Sequence, residues 1–193
     1  NKVSDDENFK VKRILRNQNL LLRWMVTIFT IIKNGRNVDC LFVNGLPMES
    51  YVANLFLRKK LVRKIVGDWA WERGRNKGLI NESFDEFQEN SHNLHLEIAK
   101  FSRGWTATKA DIVITPSKHL SKVVENWGVQ PNKLVVIYNG TKIVNNDISK
   151  TNQETINLIT VGRLAPWKNI DTIIKSVNLL KQYDMKFKLF IVG

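Results

Sequence analysis

The chain has 193 residues, of which 43% are hydrophobic and 25% are charged. This composition is typical of a globular protein that buries a core, and it excludes collagen-like, low-complexity and wholly disordered chains. The single cysteine, Cys40, excludes an internal disulfide and a metal site built from several cysteines. The formal net charge of +12 directs attention to anionic partners.

The positive charge is concentrated in the first part of the chain. Residues 1–80 hold 16 of the 30 basic side chains but only 7 of the 18 acidic ones. One basic cluster consists of Arg58, Lys59, Lys60, Arg63 and Lys64. Such a surface could contact an anionic membrane, where each cation contributes about 1 kcal/mol, or nucleic acid, and the plain alternative is a solvated helix face. The apolar stretch at residues 20–32 contains Arg23 and is shorter than the roughly 20 residues of a membrane span, so we expect a helix of the fold there.

Predicted helices and strands alternate through most of the chain. Apolar residues at helical spacing predict helices at residues 19–33, 48–57, 81–110, 118–127 and 168–181. Short apolar, mostly β-branched runs predict strands at residues 40–43, 61–66, 111–115, 134–138, 156–161 and 186–192. Ser117 is predicted to cap the helix that follows it. This order favours an α/β fold in which helices cover parallel sheets.

A polar stretch after about residue 140 divides the chain into two parts. We predict a Rossmann-like domain at residues 1–144, an interdomain linker at 145–155 and the start of a second Rossmann-like domain at 156–193. A strand–helix–strand piece of the size of the last part cannot bury both faces of its sheet. We therefore expect the second domain to be incomplete in this sequence.

The most specific local pattern follows the strand at residues 156–161. Gly162 ends the strand, and Arg163 and Lys168 lie five residues apart at the start of a predicted helix. Ligands of open α/β sheets bind beyond the carboxyl ends of strands, where a helix N-terminus attracts phosphate. The Arg163 guanidinium could bind one diphosphate through two parallel hydrogen bonds, and the Lys168 ammonium could contact the same diphosphate as a point charge. The spacing alone is equally compatible with two solvated cations on an ordinary turn.

Other predicted strands are also followed by residues that suit a carbohydrate. These acceptor-side candidates are Asn44, Gly67, Asp68, Trp69 and Asn139. A carboxylate accepts hydrogen bonds from sugar hydroxyls, and an indole offers a flat apolar face. The alternative interpretation is core packing for the tryptophan and simple Asn-Gly turns for the two asparagines. The three histidines do not form a ligand set, so no metal site is expected.

Three stretches together resemble the family 4 glycosyltransferases, enzymes of the GT-B fold in which two Rossmann-like domains face each other across a cleft. They are residues 111–117 with 126–140, residues 161–164 with Lys168, and residues 43–47 with 66–72. The resemblance implies a GT-B fold truncated at both ends. The family's glycine-rich loop would precede residue 1, and its glutamate pair would follow Gly193.

The resemblance also implies a reaction: transfer of a sugar, with retention, from a nucleotide-diphosphate sugar to a hydroxyl acceptor, without a metal or other cofactor. It makes Gly162, Arg163 and Lys168 the residues that hold the donor diphosphate. Arg163 and Lys168 would also act in catalysis by stabilising the leaving group, with Asp68 as the third catalytic candidate. Expected partners are the nucleotide-sugar donor, a glycan or lipid-linked acceptor and an anionic membrane surface, with no nucleic acid.

The family's habits also give expectations about cellular role. We expect a cytoplasmic protein, peripheral on the inner face of the cell membrane, that acts in cell-envelope glycan or glycolipid synthesis. This chain alone is expected to be inactive. Two alternatives stay open: a non-catalytic basic module that binds a membrane surface or nucleic acid, and a GT-B nucleotide-sugar epimerase.

Overall fold

A computed structural model describes residues 11–15, 17–141, 155–183 and 186–193. The contacts among these residues define two compact units. The first unit contains the described residues up to Asp68 together with His92–Asn139, and the second contains Trp69–Ser91 together with the described residues from Gly140 onward. Residues 69–91 thus lie in the second unit, although they fall within the range predicted for the first domain. The predicted linker, as far as residue 154, lies outside the described residues, and the domain boundaries stay a prediction.

The first unit is built on a parallel sheet. Its strands are β1 (Cys40–Val43), β2 (Lys60–Lys64), β3 (Ile112–Thr115) and β4 (Leu134–Val136). Neighbouring strands pair in parallel in the order β1-β2-β3-β4, as the alternation of helices and strands predicts. The carboxyl ends of all four strands therefore lie at one edge of the sheet, and the loops that follow them open there.

Seven helices are described in the two units. They are α1 (Leu20–Gly35), α2 (Pro47–Leu57), α3 (Trp69–Asn76), α4 (Phe84–Glu89), α5 (Leu94–Thr108), α6 (Lys118–Asn126) and α7 (Ile170–Leu179). The cap predicted at Ser117 is confirmed, because its hydroxyl accepts a hydrogen bond from the Leu120 backbone N–H at 3.1 Å. Asn19 caps α1 in the same way, through the N–H of Leu21 at 2.9 Å.

Residues 81–110 were predicted as one helix and are two. Asn90 adopts an extended backbone with ψ 150°, which ends α4. Ser83 and Asn93 each accept a hydrogen bond from a backbone N–H in the first turn of the next helix, so a new helix begins after each of them. Helix α3 was not predicted from the sequence. Its glycine and four charged or amide residues leave too few apolar positions for a helical pattern to be visible.

The two faces of the first unit's sheet differ in burial. On one face, alternate residues of β2 and β3 are buried: Leu61, Arg63, Val113 and Thr115. On the other face, Phe42 is 60% exposed, and Ile112 and Val135 are each 40% exposed. The parallel register places these three apolar side chains of β1, β3 and β4 on the same face of the sheet. We call Phe42, Ile112 and Val135 the open face.

The second unit contains a two-stranded parallel sheet. Its strands, β5 (Thr155–Val161) and β6 (Lys186–Val192), pair along their whole length and are connected through α7. Helix α7 begins at Ile170, two residues later than predicted, because Pro166–Lys168 form a separate 3₁₀ turn. Among the described residues of both units, no helix is long and apolar enough to cross a bilayer.

Candidate functional site

Asp68 follows β2 and is held by a buried ion pair. Its carboxylate contacts the guanidinium of Arg103 on α5, and both side chains are almost completely excluded from solvent. Burial deprives both charges of solvating water, and the opposite charge beside each one offsets this cost, so neither side chain tolerates the loss of its partner. The pair therefore holds Asp68, which follows β2, against α5.

Two buried arginines, Arg63 on β2 and Arg103 on α5, lie between the sheet and α5. Arg63 donates through Nη1 to the Thr106 hydroxyl at 2.8 Å, and the Arg103 guanidinium carbon lies 4.3 Å from the centre of the Trp127 ring. Burial lowers the pKa of each guanidinium to about 10, since desolvation disfavours the charged form. Gly104 allows this packing, because a Cβ there would lie 3.0 Å from the Trp127 carbonyl oxygen.

The other acceptor-side candidates of the first unit lie at the carboxyl edge of the sheet. Asn44 follows β1 and is exposed. Asn139 follows β4, and its side-chain oxygen accepts a hydrogen bond from Lys64 Nζ at 3.2 Å, which links the ends of β2 and β4. Gly67 is half-buried directly before Asp68. The structure thus places these residues at one edge of the sheet, with Asp68 turned into the protein.

A cavity of about 630 Å³ opens in the first unit close to this edge. Its lining combines charge with apolar surface: Lys12, Arg23, Trp24, Thr27, Leu46 and Glu49. Leu46 and Glu49 belong to the loop after β1 and to the first turn of α2, so the cavity adjoins the loop that carries Asn44. The cavity was not predicted from the sequence, because its lining residues come from three separate segments.

The predicted diphosphate residues lie together on one loop of the second unit. The Gly162 N–H donates to the Val192 carbonyl at 2.9 Å, which holds the start of the loop against the end of β6. Apart from its two neighbours in the chain, no described residue has a heavy atom within 4 Å of the position that a Cβ of Gly162 would occupy. Arg163 and Lys168 are both exposed. Lys168 ends the 3₁₀ turn and precedes α7, rather than forming part of its first turn as predicted.

Helix α3 contacts this loop. The rings of Trp71 and Trp167 lie 5.7 Å apart at 56°, and a Glu72 carboxylate oxygen lies 3.8 Å from Arg163 Nη2. Trp71 is itself fixed, because its indole N–H donates to the Glu82 carbonyl at 3.2 Å. The helix thus carries an acidic side chain to one of the two predicted diphosphate cations. Glu72 was not among the candidate residues predicted from the sequence, and its contact with Arg163 was missed.

Trp69 begins the same helix and is half-buried. The Arg73 guanidinium carbon lies 5.9 Å from the centre of its ring, a distance at which a cation is attracted to an aromatic face. Asp68 belongs to the first unit, whereas Trp69, Gly162, Arg163 and Lys168 belong to the second. The roles assigned to these residues stay predictions. Among the described residues, no group of three or more His, Cys, Asp or Glu side chains is arranged to hold a metal ion.

The fold is that of GT-B glycosyltransferases of known structure. One Anabaena HepE structure, in complex with UDP and glucose, matches with a TM-score of 0.62 and 17% identity over 86% of this chain and 42% of that chain. A second HepE structure, with UDP-glucose, matches with a TM-score of 0.53 and 14% identity over 86% and 51% of the two chains. A point mutant of Staphylococcus aureus TarM, in complex with fondaparinux, α-GlcNAc-glycerol and UDP, matches with a TM-score of 0.54 and 15% identity over 89% and 32%.

These matches confirm the predicted α/β fold of GT-B type with parallel sheets. The chain spans about half or less of the length of each of these proteins. No protein-family model and no curated protein matches the sequence. Identities of 17% and below establish a shared fold and leave membership of family 4 a prediction.

Proposed function

We propose that this chain is part of a family 4 glycosyltransferase that transfers a sugar, with retention, from a nucleotide-diphosphate sugar to a hydroxyl acceptor. The observation that carries the proposal is the pair of exposed cations, Arg163 and Lys168, on the loop after β5. This is the position at which open α/β sheets bind their ligands. A guanidinium and an ammonium there suit the charge of a diphosphate.

The same two cations account for the proposed chemistry. Cleavage of the bond between the sugar and the diphosphate leaves negative charge on the departing phosphate oxygen. Fixed positive groups that meet this charge lower the barrier more than they stabilise the substrate, which is the usual source of electrostatic catalysis. We propose that Arg163 and Lys168 perform this role without a metal ion, and that Gly162 leaves room for the phosphates.

The ligands of the structural neighbours support the choice of donor class. HepE was crystallised with UDP, with UDP-glucose and with UDP and glucose, and the TarM mutant with UDP. We propose a nucleoside-diphosphate sugar as the donor for this chain as well. We further propose that the cytoplasmic face of the cell envelope is the place of action and that its glycans or glycolipids are the products.

The first unit supplies the proposed acceptor side. The cavity near Asn44 has cations, an aromatic ring and aliphatic side chains in its lining, which suits a lipid-linked or anionic glycan acceptor better than a neutral sugar alone. Asp68, Gly67 and Asn139 of this unit are proposed to shape this side, and the acceptor role of Trp69, which lies in the second unit, stays a sequence prediction. Because the Asp68 carboxylate is buried against Arg103, a contact with substrate would require this pair to open.

The experiment that tests the proposal measures diphosphate binding to the purified chain. Inorganic pyrophosphate and UDP are titrated and followed by NMR of the arginine Nε–H and tryptophan indole signals. R163Q and K168Q should each weaken pyrophosphate binding by about tenfold, the effect of losing one hydrogen bond to a charged group. K175Q is the matched control, because Lys175 is an exposed lysine on α7 that pairs with Asp171.

Unchanged pyrophosphate affinity in both R163Q and K168Q would contradict the proposal. Strong salt-dependent binding to anionic vesicles or DNA, without any binding of pyrophosphate or UDP, would favour the non-catalytic basic module instead. In the whole protein, the anomeric configuration of the product tests retention. An epimerised nucleotide sugar with no acceptor product would favour the epimerase.

A further inference from the structure

The contact between Glu72 and Arg163 gives the proposed diphosphate loop an internal competitor. We infer that the Glu72 carboxylate competes with the diphosphate for the Arg163 guanidinium, and so weakens the hold of the loop on the nucleoside diphosphate that remains after sugar transfer. This inference rests on the proposed function. It adds a residue on α3 that acts on the donor through another side chain.

The geometry of the pair makes it exchangeable. The two charged atoms are 3.8 Å apart, and the side chains of Arg163 and Glu72 are 75% and 37% exposed. Exposed ion pairs of this kind contribute between about 0 and 1 kcal/mol. A diphosphate with several negative oxygens offers the guanidinium a stronger bidentate partner, so it can displace the carboxylate.

The position of Glu72 is nevertheless fixed by packing. Trp71, the preceding residue on α3, contacts both Trp167 of the loop and Phe84 of α4, with 5.7 Å between ring centres in each case. Ala70 of the same helix is completely buried. A carboxylate on such a helix stays close to the loop whether or not it touches Arg163, which distinguishes it from a freely moving surface charge.

Two consequences follow for an anion bound to Arg163. The anion must first displace the Glu72 carboxylate from the Arg163 guanidinium. Once bound, it lies near this carboxylate, which repels it. Both effects lower the affinity for the anion. For a transferase whose second product is a nucleoside diphosphate, lower affinity at this loop eases product release, a step that limits the turnover of many enzymes.

The test uses the 193-residue chain with inorganic pyrophosphate as the probe. E72Q removes the charge and keeps the shape of the side chain, so pyrophosphate should bind about two- to fivefold more tightly, the range that corresponds to an exposed pair. E72D keeps the charge and should bind pyrophosphate as the unmodified chain does. E89Q removes the same charge from α4 and controls for the change in net charge.

Two readouts separate this competition from a structural role. In the R163Q background, E72Q should change the affinity less than it does when Arg163 is present, because the competition is gone and only the repulsion remains. The difference between E72Q and the unmodified chain should also shrink as NaCl rises from about 25 mM to about 500 mM, where screening shortens the reach of charges to a few ångströms. Circular dichroism of each variant verifies that the fold is retained.

The outcomes distinguish the inference from the proposed function. If R163Q weakens pyrophosphate binding but E72Q leaves it unchanged or weakens it, the inferred competition by Glu72 is wrong. The proposal that the loop binds a diphosphate is then still supported. If E72Q tightens binding equally with and without Arg163, the competition is also wrong. If neither R163Q nor K168Q changes the affinity for pyrophosphate, the proposal that this loop binds a diphosphate is wrong. The inferred role of Glu72 is then wrong as well.

Discussion

The Asp68–Arg103 pair of the first unit and the Glu72–Arg163 pair of the second join the same two chemical groups in opposite environments. The first pair is buried beneath α5, and the second is largely exposed beside a loop. In the first pair, loss of one partner leaves an unsolvated charge, so the pair is a structural connection. In the second, water or an anion can replace either partner at little cost, so the pair suits a site whose ligand comes and goes.

The largest expected effect comes from breaking the buried pair. R103M keeps the long stem of Arg103 and leaves the Asp68 carboxylate buried without its partner. We expect it to reduce the free energy of unfolding of the first unit by about 3–5 kcal/mol. Urea unfolding, together with amide hydrogen exchange in β2 and β3, measures this loss. R73M, the same substitution at an exposed arginine of the second unit, should cost less than about 1 kcal/mol.

A second substitution makes this prediction sharper. Adding D68N to R103M removes the carboxylate charge that R103M leaves without a partner. The double variant should therefore recover at least about 1 kcal/mol of the lost free energy of unfolding. A cost below about 1 kcal/mol for R103M alone would contradict the structural interpretation of the pair.

A smaller effect is expected from shortening the same side chain on one strand of each unit. Val113 on β3 is completely buried, whereas Val161 at the end of β5 is 73% exposed. V113A should reduce the free energy of unfolding by about 2 kcal/mol, because it removes buried apolar surface and leaves a small cavity. V161A should change it by less than about 0.5 kcal/mol. Equal losses in urea unfolding would contradict the burial difference between the two strands.

The smallest effect concerns an exposed carboxylate of the second unit. Glu86 accepts a hydrogen bond from the Ser83 backbone N–H at 2.8 Å, which lowers its pKa below 4.5 in the folded chain. Because the folded pKa lies below the unfolded one, the contribution of Glu86 to stability is present above pH 4.5 and is lost as the pH falls through the folded pKa. Carbon chemical shifts of α4 should report this loss on acidification.

E86Q provides the comparison for that titration. The glutamine has no carboxylate to protonate, so the chemical shift of the Ser83 backbone N–H, the donor to Glu86, should change less on acidification than in the unmodified chain. A parallel acid-induced change in E86Q and in the unmodified chain would assign the transition to another group. The Ser83 cap would then not be its source.

Much of the fold could be predicted from the sequence because local patterns encode it. The strands at residues 40–43 and 186–192 were predicted with their observed bounds, since apolar runs are bounded there by polar or turn-forming residues. The strand, the glycine and the two cations of the loop after β5 were also predicted together, because they are contiguous in sequence, and their binding of a diphosphate stays a proposal. Such patterns hold wherever neighbours along the chain determine the structure.

The missed features depend on contacts between distant residues. Nothing in the residues around Asp68 shows that Arg103 would pair with it, because α4 and most of α5 lie between them in sequence. The partner of Arg163 is equally remote, since Glu72 comes from a helix that the sequence pattern did not show. One signal was present: Arg63 alternates with the apolar residues Leu61 and Ile65 on the inward side of its strand, which indicates a buried polar partner nearby.

The open face of the first unit affects how the chain behaves at high concentration. Phe42, Ile112 and Val135 present apolar surface to water, and each square ångström covered by another molecule is worth about 25 cal/mol. The net charge of +12 opposes such association through mutual repulsion. Added salt screens this repulsion without weakening the apolar contact. The colloidal stability of the chain should therefore fall as ionic strength rises, so that dilute, low-salt solutions keep it dispersed.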